Sequence, residues 1–115
     1  MSKPGPNVIK PEWIKSMNKD AIVFACANPT PEIEPKLALD SGAKIVGTGR
    51  SDYPNQLNNA LVFPGMMRGA LDVRAKKISW GMAFAVSKEI ALIAKEKGLR
   101  PDFIVPRLDE PNLLV

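Results

Sequence analysis

The feature that most constrains the fold is a wholly apolar run over residues 21–27, AIVFACA, bounded by the polar residues Asp20 and Asn28. The run is short and rich in residues that favour strands, so it predicts a β-strand. Apolar residues do not alternate with polar ones along it. We therefore expect a strand buried on both faces, which is the pattern of a parallel sheet.

A helix and a second strand are predicted directly after this run. Thr30 is a suitable N-cap and Pro31 suits the first helical position, so a helix is expected over about 31–41, ending at Gly42. Residues 44–48, KIVGT, have the pattern of a second strand. Strands joined in this way run parallel. The predicted fold class is therefore α/β.

The second half of the chain is predicted to be helical. A helix that starts near Leu57 is expected to be interrupted or ended at Pro64-Gly65, with a further helical piece over 66–75. Residues 101–115 contain three prolines, and they predict an irregular tail.

A long C-terminal helix is predicted over about 80–97, with Ser79 as its N-cap and Gly98 at its end. Trp13 and Trp80 are interpreted as packing residues. The apolar positions repeat at helical spacing: Met82, Val86, Ile90 and Ile93.

Composition limits the chemistry and the partners of the chain. It has no histidine and one cysteine, Cys26, which we interpret as a small core residue. No Ser-His-Asp or Cys-His mechanism can be assembled from these residues, and the single cysteine fits the cytoplasm. The net charge of +4 is dispersed, so no nucleic-acid partner is expected. No apolar window approaches the ~18 residues of a membrane span, so no membrane partner is expected.

Polar residues follow both predicted strands, at the edge where open parallel sheets bind ligands. Asn28 follows the first strand, and residues 49–59, GRSDYPNQLNN, follow the second. Amides and hydroxyls at this edge suit a nicotinamide carboxamide, a ribose or a hydroxy-acid carboxylate. Structural roles are open too: Asn28 as a turn residue, and Asn58 and Asn59 as helix caps. Adjacent helical side chains diverge by about 100°, so these last two should not do the same job.

Several expected motifs are absent from the sequence. There is no glycine motif of the GxGxxG type to cradle a pyrophosphate, and no acidic cluster with convincing metal-ligand spacing. We interpret Arg50 and Asp52 as a structural pair. The strand–helix–strand pattern thus suggests the second half of a doubly wound fold without the first half.

Four segments identify a family. SKPG at 2–5, ANPTPEI at 27–33, TGRSDYPNQLNN at 48–59 and FPGMMRGALDVRA at 63–75 resemble the bacterial and archaeal type of malic enzyme. The resemblance implies a partial Rossmann-like fragment, a doubly wound parallel sheet with a long C-terminal helix. It also implies two parts, residues 1–105 from the C-terminal part of the NAD(P)-binding domain and an irregular tail at 106–115.

The resemblance also implies an activity and its site residues. Malic enzymes oxidise malate with NAD or NADP, decarboxylate the oxaloacetate to pyruvate and CO2, and need Mg²⁺ or Mn²⁺. By this resemblance Asn28 and Asn58 contact the substrate, while Asn59 and Asn28 contact the nicotinamide end of the cofactor.

The family's other functional groups have no counterpart in the matched segment. Its catalytic tyrosine and lysine, its metal ligands and its glycine motif all lie upstream, and Tyr53 does not align with the catalytic tyrosine. We therefore expect no catalytic or metal-binding residue here, and a fragment that is inactive alone. Its partner would be the complementary N-terminal portion of the enzyme or a second copy of the chain. The alternative is a non-catalytic, stand-alone module of the same fold that oligomerises or docks to a partner.

Overall fold

The computed structural model describes residues 5–110 and Leu113. The chain divides into two units, Met1–Leu57 and Asn58–Val115. The first unit contains α1 (Pro11–Lys15), β1 (Ala21–Ala25), α2 (Pro35–Asp40) and β2 (Ala43–Thr48). The second contains a 3₁₀ turn (Asn59–Leu61), α3 (Phe63–Asp72) and α4 (Trp80–Glu96).

The two strands of the first unit form a parallel pair, with α2 between them in the chain. Ala21 is paired with Ala43 and Ala25 with Thr48, with an irregularity after Ala21. This confirms the predicted strand–helix–strand unit and the α/β class. It also brings the carboxyl ends of both strands to one edge of the sheet.

The core of the first unit lies between one face of the sheet and the two short helices. Ile33, which precedes α2, is among the most completely buried residues in the described chain. Three of the core positions, 25, 38 and 43, carry alanine, whose small side chain lets the helices approach the strands closely. The core residues are Ile14, Val23, Ala25, Ile33, Ala38, Ala43 and Val46.

The prediction that β1 is buried on both faces is wrong for this chain. Burial alternates along β1, and the side chains of Ile22 and Phe24 are 52% and 53% exposed. The described residues cover only one face of the strand. The strand also ends at Ala25, two residues earlier than predicted, so Cys26 lies outside it and is exposed, in contrast to the predicted core position.

The start of α2 differs from the prediction as well. The helix begins at Pro35, four residues after the predicted Pro31, and Thr30 does not cap it. Glu34 has an extended backbone (φ −62°, ψ 129°), because a residue that precedes a proline is disfavoured from the helical region. The predicted end is confirmed: Gly42 follows α2 with a φ of +108°, which glycine adopts readily.

In the second unit, proline starts a helix that it was expected to interrupt. α3 begins at Phe63, so Pro64 lies in its first turn, where the missing N–H has no helical partner to lose. α3 carries an ion pair between Arg68 and Asp72, one turn apart.

The long helix α4 is confirmed. Ser79 caps it, and its hydroxyl accepts a hydrogen bond from the backbone N–H of Met82 (3.3 Å). Gly98 follows the helix with a φ of +90°. Trp80, however, is 92% exposed and Trp13 is 53% exposed, so neither is the packing residue that we expected.

Residues 101–110 form turns, and the described part of the tail contains no helix or strand. Glu110 pairs with Lys97, and Pro106 is buried. Residues 111, 112, 114 and 115 of the predicted tail, and residues 1–4, which include most of the SKPG segment, lie outside the described residues. No helix within the described part of the chain is long and apolar enough to cross a membrane.

Candidate functional site

Asn28 lies at the carboxyl edge of the parallel pair. β1 ends at Ala25, β2 ends at its partner Thr48, and Asn28 is the third residue after β1. Its side chain is exposed, and a cis peptide bond joins it to Pro29. The structure therefore places this amide at the edge where the sequence predicted a ligand.

The Asn28 amide lies against the backbone of Gly49. A Cβ atom built at position 49 would be 2.8 Å from Asn28 Nδ2, which is closer than real Cβ contacts come. Gly49 itself is buried and directly follows β2. Any larger residue at position 49 would force the amide of Asn28 to move.

The loop that carries Asn28 is fixed by hydrogen bonds at its base. The backbone N–H of Ala27 donates to the Glu32 carboxylate (2.9 Å). The carbonyls of Pro31 and Glu32 accept from the N–H groups of Asn7 and Ile9, at 3.2 Å and 3.0 Å. Since both ends of the loop are fixed, Asn28 is carried by a defined turn.

Arg50 connects the loops that follow the two strands. Its Nε and Nη2 donate to the two carboxylate oxygens of Asp52, at 2.8 Å and 2.6 Å. Its Nη1 donates to the backbone carbonyl of Pro29 (3.0 Å). The predicted structural pair is confirmed, and the hydrogen bond from Arg50 lowers the pKa of the Asp52 carboxyl. No local sequence pattern indicates the hydrogen bond to Pro29, which joins residues 21 positions apart.

Tyr53 completes this arrangement. The Arg50 guanidinium carbon lies 5.5 Å from the centre of the Tyr53 ring, and the Tyr53 hydroxyl donates to the Glu34 carboxylate. This hydrogen bond raises the pKa of the Tyr53 phenol. We call Arg50, Asp52, Tyr53 and Glu34 the loop clamp, since they join residues 50–53 to residues 29–34.

Asn55 has a structural role that the sequence did not reveal. It is buried, its φ is +54°, and its Nδ2 donates to the carbonyl of Val46 (3.0 Å). Its carbonyl accepts from the N–H of Thr48. Asparagine tolerates this left-handed conformation better than most residues. Asn55 thus closes the turn after β2.

Asn58 and Asn59 begin the second unit and have different local conformations and contacts. The Asn58 carbonyl oxygen accepts from the N–H of Ala60 (2.9 Å), so the helix-capping interpretation holds for this residue. Asn59 is the first residue of the 3₁₀ turn and is exposed.

The described residues do not fit a divalent metal. No group of three or more Cys, Asp or Glu side chains within residues 5–110 and Leu113 could hold one. Cys26 is no activated nucleophile, since desolvation raises the pKa of its thiol and the Glu32 carboxylate raises it further. The amide of Asn28 at this edge can both donate and accept hydrogen bonds.

Comparison with known proteins gives a consistent family. Residues 5–112 match the model of the malic enzyme NAD-binding domain. The bifunctional malic/malolactic enzyme of Bacillus subtilis is 54% identical over 95 residues, which are 83% of this chain and 23% of that protein. The NADP-dependent malic enzyme of Halomonas elongata is 47% identical over 93 residues, which are 80% of this chain and 22% of that protein.

A solved structure shares the fold. The crystal structure of the Entamoeba histolytica malic enzyme superposes with a TM-score of 0.94 and 54% identity, and the match covers 99% of this chain and 24% of that one. The chain therefore spans about a quarter of the length of the relatives that it matches. Its α/β unit is a part of a Rossmann-like domain.

Proposed function

Because the chain belongs to the family of malic enzyme NAD-binding domains, we propose that it forms the substrate-side edge of a malic enzyme. The reaction is the oxidation of malate by NAD or NADP, followed by decarboxylation to pyruvate and CO2. In this proposal Asn28 and Asn58 contact malate, and Asn59 and Asn28 contact the nicotinamide end of the cofactor.

The observation that carries the proposal is the position of the Asn28 amide. It is exposed at the carboxyl edge of the strands, and Gly49 and a fixed loop define where it lies. An amide of this kind can donate through Nδ2 to a carboxylate and accept through Oδ1 from a hydroxyl. Malate offers both groups, and the carboxamide of a nicotinamide offers the same pair of functions.

The chain's own residues bind and orient in this proposal, and they transfer no proton. The described residues contain no group of three or more Cys, Asp or Glu side chains that could hold a metal, and in this proposal the Mg²⁺ or Mn²⁺ is bound by the complementary N-terminal portion. The groups that transfer protons are likewise supplied by a complementary N-terminal portion. We infer a cytoplasmic location, because the chain has a single cysteine and no disulfide.

Complementation tests this proposal. The chain is mixed with the part of the Bacillus subtilis relative that precedes the matched segment, and malate-dependent reduction of NAD and of NADP is measured with Mn²⁺. We expect no turnover from either piece alone and turnover from the mixture. Robust turnover by the chain alone would contradict the proposal that the N-terminal portion supplies the metal ligands and the groups that transfer protons. Absence of turnover from a mixture that forms a stable complex would contradict the proposed function.

Exposed apolar surfaces favour a second candidate, a non-catalytic module that oligomerises or docks to a partner. In the first unit, Ile22 and Phe24 form an exposed face of β1. In the second unit, Phe63, Met67 and Leu71 are exposed and follow one another at four-residue spacing along α3. Contiguous apolar patches of this kind mark interaction surfaces.

Light scattering on the purified chain separates the two candidates. A stable, monodisperse homo-oligomer that Phe24→Lys dissociates would favour the module. A monomer, or a chain that associates only with the complementary portion, would favour the enzyme part. Lys36→Glu serves as the control, because Lys36 is exposed on α2 and the variant changes charge at a residue that is not on β1.

A further inference from the structure

We propose that Gly49 and Arg50 are positioning residues for Asn28. The proposal rests on the proposed function, because it matters for activity only where Asn28 contacts substrate. Neither residue needs to touch malate or cofactor in this role. They act by fixing the place and the direction of the Asn28 amide.

Gly49 acts sterically, because its lack of a side chain leaves room for the Asn28 amide. The atoms of Asn28 nearest to a Cβ at position 49 are Nδ2 at 2.8 Å and Cγ and Oδ1 at 3.4 Å. All three atoms belong to the functional amide itself. Gly49 has no positive φ that would require glycine for backbone reasons. The close approach of the Asn28 amide is therefore the reason for glycine at this position.

Arg50 acts through the backbone next to Asn28. The two hydrogen bonds to Asp52 fix the plane of the guanidinium group, and in this plane Nη1 points to the carbonyl of Pro29. Pro29 is the residue after Asn28. Fixing its carbonyl limits the movement of the turn that carries the amide.

Comparison with Arg100 shows which contact of Arg50 goes beyond a local ion pair. Arg100, Asp102 and Phe103 repeat the spacing of Arg50, Asp52 and Tyr53. Arg100 Nε lies 3.2 Å from Asp102 Oδ1, and its guanidinium carbon lies 5.3 Å from the Phe103 ring centre. The pair and the ring contact thus arise from local spacing. The hydrogen bond to the carbonyl beside Asn28 is the additional feature of Arg50.

The first test follows the Asn28 side-chain amide by ¹⁵N NMR in the full chain, with the resonance assigned by its loss in Asn28→Ala. We expect Gly49→Ala and Arg50→Gln to shift this resonance, and Arg50→Lys to shift it less, because lysine keeps one donor for the Pro29 carbonyl. Arg100→Gln and Gly47→Ala are the matched controls. A Cβ at position 47 would meet Leu57 Cδ1 at 2.7 Å and the Asn55 carbonyl oxygen at 3.2 Å, so this control disturbs contacts other than those of Asn28.

The second test measures KM for malate in the complemented enzyme. We expect KM for malate to rise on the order of tenfold in Arg50→Gln, with partial rescue in Arg50→Lys, because a displaced Asn28 amide binds malate less well and a loss of binding raises KM. Should Gly49→Ala fail to fold, Arg50→Gln carries the test.

The outcomes distinguish the positioning role of Gly49 and Arg50 from the proposed contact between Asn28 and malate. If Arg50→Gln and Gly49→Ala leave the Asn28 resonance and KM where the controls leave them, the positioning role is overturned. If they shift the resonance while Asn28→Ala leaves KM unchanged, the positioning stands and the proposed contact between Asn28 and malate fails.

Discussion

The Tyr53 hydroxyl donates a hydrogen bond to the Glu34 carboxylate, and so joins the loop after β2 to the residue that precedes α2. Nineteen positions separate the two residues in the chain. The bond is one of the contacts of the loop clamp. It also makes the phenol of Tyr53 a reporter of whether the two loops are joined.

Tyr53 is the only tyrosine, so its ionisation can be followed directly by the ultraviolet absorbance of the phenolate. The hydrogen bond to Glu34 raises the pKa of Tyr53, so we expect a midpoint above about 10 in the folded chain. The contribution of this bond to stability is present below the unfolded pKa and is lost as pH rises through the folded one. Glu34→Gln should return the midpoint toward that of a free phenol. An unchanged midpoint in this variant would contradict the bond.

Asp52 gives the corresponding prediction in acid. The hydrogen bond from Arg50 lowers the pKa of Asp52, so its contribution to stability is present above the unfolded pKa of about 3.9 and is lost as pH falls through the folded value. Asp52→Asn should therefore lower the urea midpoint at neutral pH and flatten its decline in acid. Arg50→Gln should flatten it in the same way. A decline as steep in both variants as in the parent chain would refute this account.

Cys26 should react slowly although it is exposed. Desolvation raises the pKa of its thiol, with a further contribution from Glu32, so the thiolate fraction at mildly alkaline pH is below that of a free cysteine with a pKa of about 8.5. Stopped-flow reaction with a disulfide reagent as a function of pH should give a midpoint above that value. The control is the urea-unfolded chain, which should react as a free thiol does. Equal midpoints in the two states would count against the assigned environment.

Two glycines should respond to alanine in opposite directions. Gly42→Ala puts a side chain at a φ of +108°, and we expect a loss of about 1 kcal/mol in the free energy of unfolding. Gly69→Ala lies within α3 with open space around the new Cβ, and should gain about 0.5–1 kcal/mol. Urea denaturation followed by circular dichroism measures both. Effects of the same sign would show that backbone conformation does not govern these positions.

Local sequence signals predicted the helices and strands of this chain more accurately than they predicted its tertiary contacts. Ser79 begins a helix, and Gly42 and Gly98 end helices. Each acts on neighbouring residues only, and the helix ends that they predict are correct. The predicted start of α2 was wrong because Pro31 and Pro35 both suit the first turn of a helix. The extended conformation imposed on Glu34 decided between them.

The contacts at the candidate site depend on tertiary structure. The sequence placed Asn28 at the strand edge, because a polar residue after an apolar run marks a strand end to within a few residues, and β1 ends three residues before Asn28. It did not predict that Arg50 reaches Pro29, or that Gly49 makes room for Asn28, because these contacts form only when two loops meet. The apolar run of β1 is typical of a sheet covered on both sides, while Ile22 and Phe24 are exposed among the described residues.

The central claim is that Asn28 contacts malate, and the most direct test is the dependence of the initial rate on malate in the complemented enzyme. Asn28→Ala should raise KM for malate by on the order of tenfold or more, since hydrogen bonds to a charged group contribute about 1.5–3 kcal/mol. Asn18→Ala is the control, because Asn18 is exposed in the turn before β1. A KM in Asn28→Ala equal to that of Asn18→Ala would contradict the claim.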